Sequence, residues 1–192
     1  MGLEQHEFLI LEDNMTEFKK ISPYELIDNP FKLIGKDWML VTSANDGEGT
    51  VSGVDYNTMT ASWGGVGILW NKPVAFVFVR PQRHTFGFCE NNARMTLTFF
   101  DEKYRDALTF CGRNSGRDYD KAKECGLTPV FDADEKGRVA WFDEARVVLK
   151  VKKLYADWLD KASFCDPAPL SSYPSDDFHK MYICEIEEVL VK

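Results

Sequence analysis

The sequence has no long hydrophobic run and no excess of basic residues. No stretch in its 192 residues approaches the roughly 20 consecutive apolar residues that a membrane-spanning helix needs. The formal net charge is −8, which disfavours nonspecific contact with nucleic acid and with anionic membranes. No stripe of basic residues alternates with aromatic ones either. We therefore expect neither nucleic acid nor a membrane among the partners of this protein.

Metal-binding and dithiol motifs are also missing. The five cysteines are odd in number and widely separated, and no pair has the short spacing of a zinc or redox motif. The three histidines, His6, His84 and His179, have no neighbouring ligand residues. The amino terminus lacks the basic and then apolar segments of a secretory signal. These absences predict a cytoplasmic protein with free thiols and no metal site.

The sequence does contain enough apolar residues for a sizeable core. Hydrophobic residues make up 44% of the chain and aromatic residues 14%, which is typical of a packed globular protein. The length favours one large domain or at most two small ones. Residues 1–21 include two acidic stretches and are interpreted as an N-terminal arm of unassigned role. Residues 22–192 are interpreted as a single domain.

Short apolar and β-branched runs predict strands, and short helical segments lie between them. The predicted extended segments are residues 38–43, 51–70, 74–79, 95–100, 145–155 and 182–191. The predicted helices are residues 85–91, capped by Thr85, residues 103–110, and residues 118–125, ended by Gly126. A further short helix is predicted to begin at Ser22-Pro23 and to end at Asn29-Pro30. Residues 161–178, with three prolines, predict a long loop of the kind used as a lid or an interface. The pattern favours a mainly β fold, a barrel or a sandwich, with short helical insertions.

The segment from Asn57 to Trp63 is the most informative in the chain. A flat heteroaromatic ligand with a polar rim needs backbone donors at close range, small side chains, and hydroxyls or amides that orient it. The threonines, the alanine and the serine of this segment supply those features, and two glycines follow directly. An ordinary threonine-rich strand that enters a bulge would have the same composition. The residues alone therefore leave a ligand site and a plain strand as open alternatives.

Arg80 and Arg83 follow the extended segment at 74–79 and precede the helix predicted to start at Thr85. Guanidinium groups bind phosphate through two hydrogen bonds, and the amides at a helix N-terminus favour an anion. These residues predict a phosphate-binding site, and a solvated charged turn is the alternative. His84 lies between Arg83 and Thr85. A lone histidine in a turn gives no acid–base assignment.

Residues 111–118, Cys-Gly-Arg-Asn-Ser-Gly-Arg-Asp, form a third polar segment. It could close over a phosphate, or over the edge of a bound ring, through Ser115 and the amide of Gly116. A surface turn between two helices is the alternative. Neither a glycine-rich dinucleotide fingerprint nor a phosphate-binding P-loop is present.

Three segments in this order resemble the flavin reductase-like, FMN-binding split-barrel family, and the flavoredoxin branch in particular. They are Tyr56–Pro73, Phe78–Thr85 and Phe110–Lys121. The similarity extends from about Ser22 to the C terminus. Its first segment is specific in combination with the Arg-Pro-x-Arg-x-Thr pattern that follows at the expected distance.

The resemblance implies an antiparallel split β-barrel of Greek-key type that forms a homodimer, with FMN held near the subunit interface. By matching positions, the first segment would line the flavin ring and its ribityl chain, the second would lie near the phosphate, and the third would complete the pocket. The residues implied to bind FMN are Asn57, Thr58, Met59, Thr60, Ala61, Ser62, Trp63, Arg80, Arg83, Thr85, Ser115, Gly116 and Arg117.

Two functions follow from the resemblance. One is an NAD(P)H-dependent flavin reductase-like enzyme that passes hydride or electrons through FMN, with NADH or NADPH as the donor. The other is a flavoredoxin-like electron-transfer protein with tightly bound FMN, a redox partner protein and no direct use of nicotinamide. Reductases of the family carry a Gly-x-His motif late in the chain, whereas His179 stands in a different context. No catalytic side chain is assigned, because the cofactor supplies the chemistry.

Overall fold

The structure, a computed structural model, describes residues 17–45, 55–135 and 137–192 and consists mainly of antiparallel strands. The strands are β1 (Lys19–Ile21), β2 (Met39–Ala44), β3 (Tyr56–Ala61), β4 (Gly64–Leu69), β5 (Lys72–Val79), β6 (Arg94–Phe99), β7 (Pro129–Asp134), β8 (Gly137–Phe142), β9 (Val147–Trp158) and β10 (Lys180–Val191). The helices are α1 (Pro30–Lys32), continued by a π-helical turn over Leu33–Asp37, α2 (His84–Asn91), α3 (Arg105–Arg113) and α4 (Lys121–Cys125). Short 3-10 turns occupy Pro23–Glu25, Glu102–Tyr104, Lys161–Ser163 and Ala168–Ser172.

One sheet contains most of the strands, in the order β3-β2-β6-β9-β10-β5-β4, and β1 pairs with β10. β7 and β8 form a separate hairpin. The two end strands, β3 and β4, are consecutive in sequence and joined only by Ser62 and Trp63. Two residues span about 7 Å, whereas seven strands side by side would extend about 29 Å. The sheet must therefore curl into a barrel that is split between β3 and β4, which confirms the predicted fold class.

Two apolar clusters cover the two faces of the sheet. Leu149 of β9 lies in the cluster inside the barrel and Val148 lies in the outer one, because successive side chains of a strand point to opposite faces. α3 and the β7–β8 hairpin contribute Leu108 and Phe142 to the outer cluster. Both faces of β2 and β6 are thus covered, and every residue of these two strands is buried.

Several predicted boundaries differ from the structure. Asn29-Pro30 does not end a helix: the Oδ1 of Asn29 accepts hydrogen bonds from the amides of the first turn of α1 and so begins one. Thr85 does not cap α2, which starts one residue earlier with Arg83 at the N-cap position. Gly126 ends α4 as predicted, with a φ of 63°.

The β7–β8 hairpin was not predicted, and β1 lies within the predicted arm. β7 is half-buried at its start and exposed over its last four residues, so it has no continuous apolar run of the kind that marks a buried strand. β1 pairs with the last residues of β10, and its residues therefore belong to the sheet. Residues 1–16 of the predicted arm, and 51–54 of the second extended segment, lie outside the described residues. Among the helices of the described ranges, none has both the length and the apolar character needed to cross a membrane.

Candidate functional site

The three segments singled out from the sequence meet at one place in the fold. β3, the corner between β5 and α2, and the loop after α3 surround two adjoining cavities. One cavity has a volume of about 230 Å³ and the other of about 380 Å³. Met59, Arg80 and Arg83 line both of them, so the two cavities form one continuous depression.

Asn57 ties β3 to the first turn of α2. Its Nδ2 donates a hydrogen bond of 2.8 Å to Oγ1 of Thr85, and both side chains are buried. Met59 lies two residues further along the same face of β3 and lines both cavities. Met59 therefore presents its thioether to both cavities, whereas Asn57 lines a neighbouring cavity and acts on this site through its hydrogen bond to Thr85.

The two threonines on the other face of β3 have hydroxyl groups that are already hydrogen-bonded within the protein. The hydroxyl oxygens of Thr58 and Thr42 are 2.8 Å apart, and Thr58 lines a different cavity. The hydroxyl of Thr60 donates to the carbonyl of Leu108 in α3. Thr60 still borders the smaller cavity, but its oxygen is engaged in holding α3 against the strand.

The smaller cavity is bordered by Ala61, Ser62 and Trp63 at the split of the barrel, together with His179 at the start of β10. Trp63 is 49% exposed and its ring centroid lies 5.3 Å from that of His179. The Nδ1 of His179 is 2.9 Å from the hydroxyl of Tyr173. Burial, together with the nearby charge of Arg80, lowers the pKa of His179 to about 4, so the imidazole is neutral at pH 7.

Arg80 is held by the segment that returns between β9 and β10. Its guanidinium forms an ion pair with Asp177 and donates to the carbonyl of Ser172 at 2.8 Å. Gln82 donates to the same carboxylate at 2.6 Å. A phosphate at Arg80 would compete with an existing carboxylate, and this arginine instead fastens the 161–178 segment to the edge of the site.

Arg83 joins the corner to the loop after α3. Its guanidinium donates to the carbonyl of Gly112 at 2.6 Å, and burial together with the charge of Arg80 lowers its pKa. No carboxylate pairs with it among the described residues. Its charge is therefore available to an anion in the larger cavity.

The loop at 115–117 closes the other side of the larger cavity. The backbone of Gly116 passes so close to β3 that a Cβ atom there would stand 1.9 Å from Oδ1 of Asn57. Oγ of Ser115 accepts from the amide of Arg117 at 3.2 Å, and the Arg117 guanidinium donates to the carbonyl of Gln82 at 3.4 Å. The loop is thus fixed to both other segments.

His84 and Lys121 are two of the residues that line the larger cavity without having been predicted as site residues. His84 is 7% exposed, and its Nε2 has no hydrogen-bond partner within the described residues. Burial, with Arg117 and Lys121 nearby, lowers the pKa of this imidazole. Lys121, the first residue of α4, is 5% exposed. It ends the third resembling segment, which is the only signal in the sequence that marks it.

Charge distinguishes the larger cavity from its surroundings. Among the described residues that line it, none is an aspartate or glutamate and five are basic, of which the first is paired with Asp177 outside the cavity: Arg80, Arg83, Arg113, Arg117 and Lys121. The whole chain carries a net charge of −8, so this concentration of positive charge is local. A neighbouring cavity of about 840 Å³ beyond the loop includes Asp55, Asp118 and Asp120 in its wall and is less suited to an anion.

Comparison with known proteins shows which solved structures have a similar fold. No protein-family model and no curated protein matches the sequence. An FMN-binding domain of a flavin reductase-like enzyme from Shewanella baltica has a TM-score of 0.60 at 15% identity, over 91% of this chain and 77% of that chain. Flavoredoxin of Desulfovibrio vulgaris has a TM-score of 0.59 at 19% identity, over 81% and 69%. Nitrilotriacetate monooxygenase component B from Bacillus cereus has a TM-score of 0.59 at 19% identity, over 88% and 79%.

These three proteins share less than 25% of their residues with this chain, so the likeness concerns the fold. The protein has the split-barrel fold of flavin reductase-like proteins and flavoredoxins, as the sequence resemblance predicts.

Proposed function

We propose that the protein binds FMN noncovalently, with the phosphate in the larger cavity and the flavin ring in the smaller one. The observation that carries this proposal is the larger cavity itself, whose described lining residues include five basic side chains and no carboxylate in an acidic protein. The split-barrel neighbours support it, because the Shewanella baltica protein is described as FMN-binding and another neighbour is a flavoredoxin.

The residues present fit a phosphate group. Arg83 and Arg117 supply guanidinium donors, and α2 begins at the cavity, where the amides of its first turn favour an anion. His84 Nε2 is a buried nitrogen without a partner among the described residues, which a phosphate oxygen would provide. The two cavities together offer about 610 Å³, the sum of 380 and 230 Å³, within the range of small-molecule sites.

The smaller cavity fits a flat ring. Met59 of β3, Trp63 and His179 line it, and the rings of Trp63 and His179 lie 5.3 Å apart. Bound FMN supplies hydride and single-electron transfer. The protein would orient the ring and exclude water from one face, and the neutral His179, hydrogen-bonded to Tyr173, would place an aromatic edge against the reacting region.

A phosphate-specific test uses Arg83→Gln. We expect this variant to bind FMN about tenfold more weakly than the wild type, the loss of one charge-assisted contact, and to bind riboflavin almost equally well because riboflavin lacks the phosphate. Fluorescence quenching titrations with both flavins measure the two dissociation constants. Arg105→Gln is the control, because Arg105 pairs with Glu102 on the surface away from the cavity. A wild-type protein that neither quenches FMN fluorescence nor turns yellow would refute the proposal.

The first version of the function is an NAD(P)H-dependent flavin reductase-like enzyme. His179 favours this version, because it lines the smaller cavity. The two residues before it are Asp177 and Phe178, whereas the reductase motif has Gly-x at these positions. We expect steady-state oxidation of NADH or NADPH by the protein with added FMN, followed at 340 nm. Lack of turnover with both nucleotides, in a protein that does bind FMN, would leave the second version: a flavoredoxin-like carrier that exchanges electrons with a redox partner protein.

We further propose that the protein is a homodimer with the FMN site near the subunit interface. Large apolar side chains in and directly beside β4 are exposed, and exposed apolar surface marks interaction sites where it is contiguous. Trp63, Ile68 and Trp70 are 49%, 59% and 53% exposed. Trp63 also borders the smaller cavity. Sedimentation velocity at micromolar concentration tests the proposal, and a single monomeric species would contradict it.

A further inference from the structure

Two of the five cysteines lie in contact at the two ends of the segment that closes the larger cavity. Cys111 is in the last turn of α3, and Cys125 is the last residue of α4. Their Sγ atoms are 3.9 Å apart, and both side chains pack in the outer apolar cluster. Neither cysteine is among the described lining residues of the two cavities, so the proposed FMN site makes no direct use of them.

The two thiols differ in their access to solvent. Cys111 is fully buried, whereas Cys125 is half-buried. The thiol of Cys125 also donates to the carbonyl of Ala107 at 3.7 Å, which places it against α3. Burial raises the pKa of Cys111 to about 12 and also raises the pKa of Cys125, so both thiols are protonated at pH 7. They therefore react slowly, and Cys125 is the one that a small oxidant reaches first.

The segment between the two cysteines, residues 112–124, includes the loop at 115–117. This loop lines the larger cavity, and α4 follows it directly. At present α4 is tied to α3 by noncovalent contacts, among them the hydrogen bond of 2.8 Å from Lys121 Nζ to the carbonyl of Cys111. A covalent bond between Cys111 and Cys125 would close the segment at its base. A loop that is fixed in its binding conformation loses less freedom when the ligand binds, so the affinity rises.

We propose that Cys111 and Cys125 are a redox-active dithiol, which hydrogen peroxide converts into an intramolecular disulfide that fixes the loop at 115–117 over the larger cavity. The sulfur of Cys125 first attacks the peroxide, the O–O bond breaks, and a sulfenic acid and one water form. The sulfur of Cys111 then attacks that of Cys125, the S–O bond breaks, and a second water leaves with the proton of the Cys111 thiol.

The reaction is balanced, because two thiols and one peroxide give one disulfide and two waters. Both sulfurs are oxidised and the peroxide oxygens are reduced. The Sγ atoms must approach from 3.9 Å to the disulfide length of about 2.05 Å, which side-chain rotation and a small shift of the short helix α4 supply. The effect on FMN rests on the proposed function, whereas formation of the bond does not.

Peptide mapping tests whether the bond forms. Reduced protein is treated with hydrogen peroxide, alkylated and digested with trypsin without reduction. Arg113 and Arg117 lie between the two cysteines, so the disulfide joins two separate peptides. We expect this linked pair in the wild type and its loss after treatment with dithiothreitol. We expect it also in Cys165→Ser, the control at an exposed cysteine, and not in Cys125→Ser. Separately alkylated Cys111 and Cys125, or Cys125 oxidised to a sulfinic acid beside a free Cys111, would overturn the inference.

Fluorescence titration with FMN tests the effect on the cavity. We expect the oxidised wild type to bind FMN about three- to tenfold more tightly than the reduced wild type, the ordering cost of one or two side chains. The same peroxide treatment should not change the affinity of Cys125→Ser. Equal affinities of the two wild-type forms would overturn the fixing of the loop. A protein that binds FMN in neither form would refute the proposed function, while the peptide map still decides whether the disulfide forms. Both wild-type measurements stand even if a substitution disturbs folding.

Discussion

We expect replacement of Gly116 by alanine to weaken FMN binding at least about tenfold, which corresponds to about 1.4 kcal/mol. The added Cβ would stand 1.9 Å from Oδ1 and 2.8 Å from Cγ of Asn57, distances that no packed pair of heavy atoms tolerates. Asn57 cannot simply turn away, because it is buried and its Nδ2 is bonded to Thr85 at 2.8 Å. Either this hydrogen bond breaks or the loop at 115–117 moves away from β3.

Both outcomes open the larger cavity. Loss of the Asn57–Thr85 bond leaves a buried amide without its partner, which costs about 1–3 kcal/mol, and it releases the first turn of α2. Movement of the loop instead withdraws Arg117, whose guanidinium reaches back to the carbonyl of Gln82 at 3.4 Å. In each case the donors proposed for the phosphate lose their mutual placement.

Fluorescence titration of FMN against Gly116→Ala and Gly35→Ala measures the effect. Gly35 is the matched control, because a Cβ at that position meets no atom within 4 Å. The double variant Asn57→Ala, Gly116→Ala adds a second check. If the clash is the cause, the alanine at 116 should have little further effect once Asn57 is shortened. Unchanged FMN affinity in the single variant would contradict the close packing described for this loop.

We expect Leu149→Ala to lower the free energy of unfolding by about 3 kcal/mol, within the range measured for buried leucines in other proteins. Leu149 is the third residue of β9, belongs to the cluster inside the barrel and is fully buried. Its truncation leaves a cavity among side chains of strands that are fixed on both sides by β6 and β10. The barrel cannot collapse to fill such a space, so the loss of contacts is retained.

Leu154→Ala is the control on the same strand. Leu154 is 39% exposed, so its truncation should cost less than about 1 kcal/mol. Urea denaturation followed by tryptophan fluorescence compares the two variants, and the thermal midpoint of Leu149→Ala should fall by about 10 °C. Similar stabilities of the two variants would show that the orientation of β9 in the sheet is wrong.

The buried strands of the barrel could be predicted from the local pattern of apolar residues, because side chains that point to a covered face are apolar. Met95, Leu97 and Phe99 share one face of β6, as their alternation predicts, and all belong to the interior cluster. The β7 strand escaped prediction because most of its residues face water, and it is held extended by pairing with β8 and by ion pairs of Asp132 with Lys150 and of Asp134 with Arg94. Asn29-Pro30 was misread because the same dipeptide can end one helix or cap the start of the next.

Within the candidate site, the sequence located the three segments but not what each side chain does. Arg83 and Gly116 line the larger cavity, whereas Asn57 lines a neighbouring one and is joined to this site through Thr85. Their contact with FMN stays a prediction. Arg80 was grouped with Arg83, yet its partner Asp177 lies 97 residues away along the chain. No local pattern can report such a contact.

The sequence by itself determined that this protein is mainly β, and it marked the order of the three segments that define the site, because strand alternation and turn residues act over a few neighbouring positions. The tertiary structure alone decided which charges face the cavity and which are already paired. Packing of α4 against β3 brings Lys121 to the carbonyl of Thr58, 63 residues earlier, and leaves it buried with no carboxylate partner among the described residues. The burial and pairing of a charge depend on contacts between distant residues, which exist only once the chain has folded.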